Sequence, residues 1–298
     1  MSMIVSAIGQ GLIWAMLGLG LYLSFRILNF PDMTVEGTFP LGAAVAVTGI
    51  STGMNPVVAA LLAAGAGALA GLVTGLLYTK GQIPILLAGI LTMTAVYSVN
   101  LRIMGQANRS LLGVKTIFNG NCLKHLPENF PTVVVGLAIA VVMVLALAYF
   151  LQTELGQAFI ATGDNPKMAQ SMGINTHNMT ILGLMLSNAL IAFGGALVAQ
   201  NNGFADVNMG VGIIVVALAS IIIGEVVFVE EVTLTERLIT VVIGSILYRF
   251  VLVLVLALGL NANNLNLFSA IILGLALLLP KLRKFFHFDR ILLGRRAD

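Results

Sequence analysis

The chain has little of what a soluble enzyme is built from. Among 298 residues there are one cysteine, three histidines, 15 Lys or Arg and 12 Asp or Glu. A lone Cys122 excludes an internal disulfide and leaves the redox compartment open. His125, His177 and His287 are scattered, so no His/Cys metal spacing exists. No G-x-x-x-x-G-K-[ST] occurs, which excludes a phosphate-binding P-loop in this chain, and no recognisable motif places a Ser-His-Asp triad or a pair of catalytic carboxylates. An enzyme is therefore not expected. So few charges, with 59% hydrophobic residues and a mean hydropathy of +1.03, also exclude a water-soluble globule. The net charge of +3 gathers in the tail KLRKFFHFDRILLGRRAD, which reads as a cytoplasmic, lipid-facing end and not as a nucleic-acid surface. The first apolar run has no basic n-region and no small-residue cleavage pattern, so it is expected to stay as a span. No linker or low-complexity tract divides residues 1–298, which are expected to form one transmembrane domain.

What the chain does have is continuous apolar runs. A helix needs about 20 such residues to cross the hydrocarbon core, whereas barrel strands alternate in segments of about ten. The expected architecture is an all-α polytopic membrane protein with about nine spans, some of them broken. They fall at Met3–Leu23, Thr34–Ile50, Pro56–Tyr78, Ile83–Gly105, Pro131–Leu151, Thr176–Gln200, Gly210–Val229, Leu238–Leu258 and Leu265–Leu282. The second and seventh are short, glycine-rich and bordered by acidic residues. Placing the C-terminus inside puts Arg26, Lys80, Lys167, Arg237 and the basic tail on one side, against Arg109, Lys115 and Lys124 on the other. The excess of Lys and Arg then predicts the N-terminus outside and the C-terminus in the cytoplasm. The longest outer segment, 106–130, is a cap, a landing surface or simply an ordered loop. Gly67, Gly71 and Gly75 repeat every fourth residue and predict a face for close helix approach.

One polar stretch sits between two of the most apolar runs: ELGQAFIATGDNPKMAQSMGIN, Glu154 to Asn175. Gly163, Asp164, Asn165 and Pro166 predict a turn and a helix start, with Asp164 or Asn165 as cap, Pro166 in the first turn and Gly173 at the C-terminal end. The element reads as a cytoplasmic interfacial helix displaying Lys167, Gln170 and Ser171. It either docks on a soluble partner or lies on the membrane without one.

This stretch resembles the cytoplasmic coupling loop of ABC importer permeases of the branched-chain amino acid and ribose type, whose pattern is G-x-x-x-x-A-x-G-x-N-x-x-x-A-x-x-x-G-I-N. Gly156, Ala161, Gly163, Asn165, Ala169, Gly173, Ile174 and Asn175 match it, with Glu154 opening the segment. NFPDMTVEGTFPLGAAVA, Asn29 to Ala46, is similar to the family's segment that opens the second helix. SNALIAFGGAL, Ser187 to Leu197, is similar to the segment after the loop, with Asn188 where Gly is usual. GVGIIVVALASIIIGE, Gly210 to Glu225, resembles a fourth segment, with Ile214 where an acidic residue is common and Glu225 in place of a Gly. The nearest resemblance is to permeases of the tryptophan or tyrosine type from Firmicutes. It implies a bacterial plasma-membrane subunit that works as a homodimer with two cytoplasmic ABC ATPases and an extracytoplasmic binding protein. ATP and Mg would be bound by the partners, with no cofactor in this chain. The substrate implied is a small solute, an aromatic or branched-chain amino acid, with a sugar or nucleoside as the alternative.

Ionisable groups at membrane depth cost at least about 2.5–3.5 kcal/mol and are expected to face protein or water. Asp32, Glu36 and Thr38 cluster where the second span opens, bracketed by Pro31 and Pro40. They either line a gate, with Asp32 and Glu36 on one helix face, or merely cap the helix. Asn100, Ser187 and Asn188 are further pathway candidates or interhelical glue, and Glu225 is a candidate inner gate. Tyr22, Phe30, Phe39 and Tyr97 supply aromatic faces. The rival reading is a secondary transporter driven by an ion gradient through Glu36 and Glu225; a non-transporting scaffold is a third.

Overall fold

The computed structural model of the chain describes residues 2–119, 127, 130–227, 233–257 and 265–285. Cys122, Lys124, His125, His287, the tail beyond residue 285 and part of the segment 106–130 lie outside the described residues.

The long apolar runs fold as helices because only a helix satisfies every backbone N–H and C=O within one segment away from water. They are α1 (Ser2–Leu21), α2 (Val35–Ser51), α3 (Pro56–Thr79), α4 (Ile85–Met104), α5 (Phe130–Gln152), α8 (Thr176–Asn202), α9 (Ile213–Val227), α10 (Leu234–Ala257) and α11 (Leu265–Phe285). The polar insert forms α6 (Glu154–Asp164) and α7 (Pro166–Ser171). Six stretches are long and apolar enough to cross a membrane: Met3–Ile27, Pro56–Thr79, Ile85–Met104, Phe130–Gln152, Thr176–Asn202 and Leu234–Ala257. α2 and α9 are apolar but have only 17 and 15 residues. At 1.5 Å per residue they are about 25 and 22 Å long, less than the roughly 30 Å hydrocarbon core.

Large apolar side chains point outward along whole helices: Leu61, Leu62 and Leu69 on α3, Leu87 and Leu91 on α4, Leu137, Val142 and Leu145 on α5. A bundle with such faces needs lipid around it. The inward faces carry small residues. Gly67 and Gly71 of α3 lie directly against the Asn188 and Leu184 carbonyl oxygens of α8, and Gly75 against Ile181. The expected glycine face is thus the α3–α8 seam, where dispersion contacts and close backbones take the place of a hydrophobic driving force. α8 is the central helix, packed by α1, α2 and α3, while α9 and α10 pack on α1 and α11 on α9. Two short strands, β1 (Asn108–Ser110) after α4 and β2 (Phe204–Asp206) after α8, pair antiparallel with Arg109 opposite Ala205 and tie those two helix ends together.

Two helix boundaries and the place of Pro40 differ from the plain reading of the sequence for identifiable physical reasons. The first span does not end at Leu23: it continues as a π-helical turn, Tyr22–Ile27, a wide geometry that recurs at functional positions. α10 starts a turn before Leu238, at Leu234, because the Glu236 carboxylate accepts from the Thr233 N–H and so caps a polar first turn. Pro40 does not interrupt α2 but sits within it. A proline leaves the carbonyl four residues back without its helical donor; here that is Glu36, and the backbone of Gly210 packs onto this oxygen.

Candidate functional site

The polar insert is built by its own capping residues. Thr153 accepts from the Gly156 N–H at 3.2 Å and starts α6, Asn165 accepts from the Met168 N–H at 3.1 Å and starts α7 behind Pro166, and Asn175 accepts from the Asn178 N–H at 3.2 Å and starts α8. Gly173 has φ +83°, a left-handed conformation that closes α7 and costs other residues strain. Phe159 and Ala169 are fully buried, and Ala161 is half-buried. Glu154, Leu155, Lys167, Met168, Gln170, Ser171 and Met172 are exposed, the last 71%. Of the matched motif residues Gly156, Gly163 and Ala169 are buried, while Asn165, Gly173 and Asn175 lie exposed at the caps and the turn, and the long outward side chains come from residues the motif leaves open. The outward turn of Leu155, Met168 and Met172 was not legible in the sequence, because apolar residues at these spacings read as a buried face.

Gly163 connects the insert to the rest of the molecule. It packs against the Ile27 carbonyl oxygen so closely that no side chain fits, and its own carbonyl accepts a 3.0 Å hydrogen bond from Asn29 Nδ2. Asn29 stands at φ +53°, the bend between the π-turn and α2. The end of α6 thus holds the hinge that leads into the second helix.

Past that hinge lies a buried polar cluster. Asp32 Oδ1 accepts from the Thr34 N–H at 2.9 Å, and Oδ2 accepts from Asn188 Nδ2 at 2.7 Å. Thr34 bonds Thr74 of α3 at 2.8 Å, Thr38 Oγ1 donates to the Thr34 carbonyl at 3.0 Å, and Ser187 donates to the Gly20 carbonyl at 2.7 Å. Asn188 Nδ2 also donates to Leu184 O, while its Oδ1 is buried without a partner. Asn188, the residue that departs from the family's usual glycine, thus reaches across to Asp32. Asn188 lies midway along α8, so α2 begins inside the bundle's depth.

Glu36 does not share a face with Asp32 as the four-residue spacing suggested, because Asp32 precedes the helix. Glu36 points the other way and accepts from the Gly212 N–H at 3.1 Å, at the start of α9. It borders a cavity of about 200 Å³, open on one side, together with Gly37, Pro40, Met93, Thr94, Tyr97, Asn100, Val207, Asn208 and Val211. Asn100 Nδ2 donates to the Gly37 carbonyl at 3.2 Å, and its buried Oδ1 has no partner. Of the four aromatic faces, Tyr97 alone borders this cavity. Tyr22 and Phe39 are buried, Phe39 against Trp14, and Phe30 stacks edge-on with Tyr78 at 5.2 Å.

Glu225, another departure from the resembling pattern, forms a two-pronged ion pair with Arg26 at 2.8 and 3.2 Å. Both are partly exposed. This pair bridges the π-turn and the end of α9, and sequence distance hid it. Among the described residues no group of three or more His, Cys, Asp or Glu is arranged to hold a metal ion.

A helical bundle with an apolar exterior, broken helices meeting at polar clusters and a helical clamp on the hinge between two of them has the build of a multi-pass transport protein. Residues 3–279 match the family described as branched-chain amino acid transport system / permease component. The chain belongs to this family: it is a membrane-spanning permease subunit of an ABC amino acid importer, a multi-pass protein of the plasma membrane. It is 42% identical over 273 residues to a tyrosine transport system permease protein of Clostridioides difficile, covering 92% of this chain and 90% of that one. It is 35% identical over 280 residues to an uncharacterized protein of Rickettsia prowazekii, covering 93% and 97%. The solved structure of PsaBC from Streptococcus pneumoniae in complex with Fab shares the fold, with a TM-score of 0.50 at 18% identity over 92% of this chain and 89% of that one.

Proposed function

We propose that the chain imports an aromatic amino acid, tyrosine or a close analogue, as one half of a homodimer whose two-fold axis follows the pathway. The single domain crosses the membrane about nine times, N-terminus outside and C-terminus inside, counting α2 and α9 as short spans. An extracytoplasmic binding protein delivers the substrate, and two ATPase subunits, which bind ATP and Mg, dock on α6 and α7 of each copy. Glu154 and the motif from Gly156 to Asn175 hold the docking element in shape. Asp32, Thr38, Ser187 and Asn188 set the inner end of α2, Phe30 anchors its approach, Glu36 and Asn100 border the route, and Glu225 closes its inner end with Arg26.

The observation that carries this reading is the contact of Gly163 with Ile27 and Asn29. A partner that moves α6 moves the hinge of α2 directly, which is what coupling a soluble motor to a membrane gate requires. Alternating access needs only two states a few kcal/mol apart, biased by ATP binding at that partner. The 42% identity to a tyrosine transport permease supports the substrate.

The test is uptake of labelled tyrosine into proteoliposomes holding the permease, its ATPase and its binding protein. Uptake is expected to require internal or external ATP on the ATPase side and to survive dissipation of proton and sodium gradients. Uptake without ATP that collapses with either gradient would return the ion-coupled reading.

A further inference from the structure

The cavity beside Glu36 has a chemical character that the coupling machinery does not use. Glu36 is the first-turn acid of α2, half-buried, and lies beside the start of α9. One of its carboxylate oxygens is held by the Gly212 N–H; the other has no hydrogen bond among the described residues. Among the described residues no Lys, Arg or His borders the cavity. A half-buried carboxylate facing a cavity whose described lining holds no cation is stabilised when something positive comes to it. On the same wall Asn100 donates an amide N–H to the Gly37 carbonyl, and its Oδ1 is buried without a partner. The remaining described surface carries no charge: Met93, Tyr97, Pro40, Val207 and Val211 make it mostly apolar or aromatic, with Gly37 and the polar Thr94 and Asn208 beside them.

We infer that this cavity is a substrate subsite which recognises the protonated amino group of the transported molecule, with Glu36 as its counter-ion and the Tyr97 and Met93 side chains as the platform for its apolar body. The ligand class is a primary ammonium carried on an apolar or aromatic frame. An ammonium offers three donors, one of which the free carboxylate oxygen of Glu36 would accept. A volume of about 200 Å³ is below the roughly 300–1,000 Å³ of drug-sized sites and fits an amino acid. The inference rests on the chain being an amino acid permease, and it places part of the selectivity in the membrane subunit and not only in the binding protein.

The experiment measures binding of labelled tyrosine to the purified permease–ATPase complex in nanodiscs, without binding protein. Tyramine, which keeps the amine and lacks the carboxylate, is expected to compete. 3-(4-Hydroxyphenyl)propionate, which lacks the amine, is expected to compete at least tenfold less well. Glu36→Gln should weaken tyrosine binding at least tenfold while complex assembly stays intact, because the amide oxygen still accepts from Gly212. Tyr97→Ala, at a 43% exposed position, should weaken binding without disturbing the fold. Equal competition by both analogues, or unchanged binding in Glu36→Gln, would overturn the inference and leave ATP-driven import standing. Displacement by sodium with no effect of tyramine would identify an alkali-cation site and overturn it as well. If the complex imports leucine and not tyrosine, the aromatic reading fails. The amine inference is then decided by the same assay with leucine, isopentylamine and 4-methylpentanoate.

Discussion

Replacing Asp32 by alanine removes the acceptor for two buried donors, the Thr34 N–H and Asn188 Nδ2. An orphaned buried donor costs about 1–3 kcal/mol. Asn188 keeps its bond to Leu184 O, so its share falls at the low end, and the expected loss is about 2–4 kcal/mol in all. Asp32→Asn should behave differently. Its retained oxygen still accepts from Thr34, and a flip of the Asn188 amide presents the Oδ1 that now has no partner to the new side-chain N–H. That exchange gives up the Leu184 bond and leaves Nδ2 where Oδ1 now finds no partner, a loss of about 1–3 kcal/mol. The assay is unfolding of the purified protein in detergent for the wild type, Asp32→Asn, Asp32→Ala, Asn188→Ala and the Asp32→Ala/Asn188→Ala double variant. The order should be wild type, then Asp32→Asn, then Asp32→Ala, with a coupling energy of about 0.5–3 kcal/mol between the two sites. Additive losses, or Asp32→Ala as stable as Asp32→Asn, would refute the paired network. Stable Asp32→Asn protein then shows by its transport rate whether the charge itself is needed.

Gly163→Ala drives a methyl group into the Ile27 carbonyl, backbone against backbone, so α6 must lift from the hinge at a cost of about 1–3 kcal/mol. ATP hydrolysis in the assembled complex should persist while uptake falls roughly tenfold or more, 1.4 kcal/mol being one decade; a ratio of uptake to hydrolysis equal to the wild type counts against the clamp. Gly71→Leu should lower thermal stability and yield because α3 rests there on the Leu184 carbonyl, whereas Gly65→Leu, with open space around it, should be tolerated. For the Arg26–Glu225 pair, partly exposed, charge reversal at either residue should shift transport by no more than about fivefold, since such pairs contribute about 0–1 kcal/mol. The double reversal Arg26→Glu/Glu225→Arg should restore wild-type uptake, and failure to do so would remove the pair from the gate.

The sequence by itself determined the class of fold and the internal design of the polar insert. Both rest on local physics. Apolar runs of membrane length leave the helix as the only satisfied backbone, and Asn165, Pro166 and Gly173 cap, start and close a helix wherever they are placed. The α3 glycine face was legible for the same reason, since a four-residue period is one face of any helix. What the sequence did not determine is which helices those faces meet and where the charges go. The spacing of Asp32 and Glu36 suggested a pair, yet the chain enters its helix only at Val35, and the two carboxylates turn to α8 and to α9. Asn188 and Glu225 were visible as departures from a pattern and as polar groups in apolar runs, but not with their partners. Their partners, 156 and 199 residues away, are brought to them by packing of α8 and α9 against the hinge. Contacts between residues so far apart in the chain follow from helix order in the bundle, and only the tertiary structure decided that order.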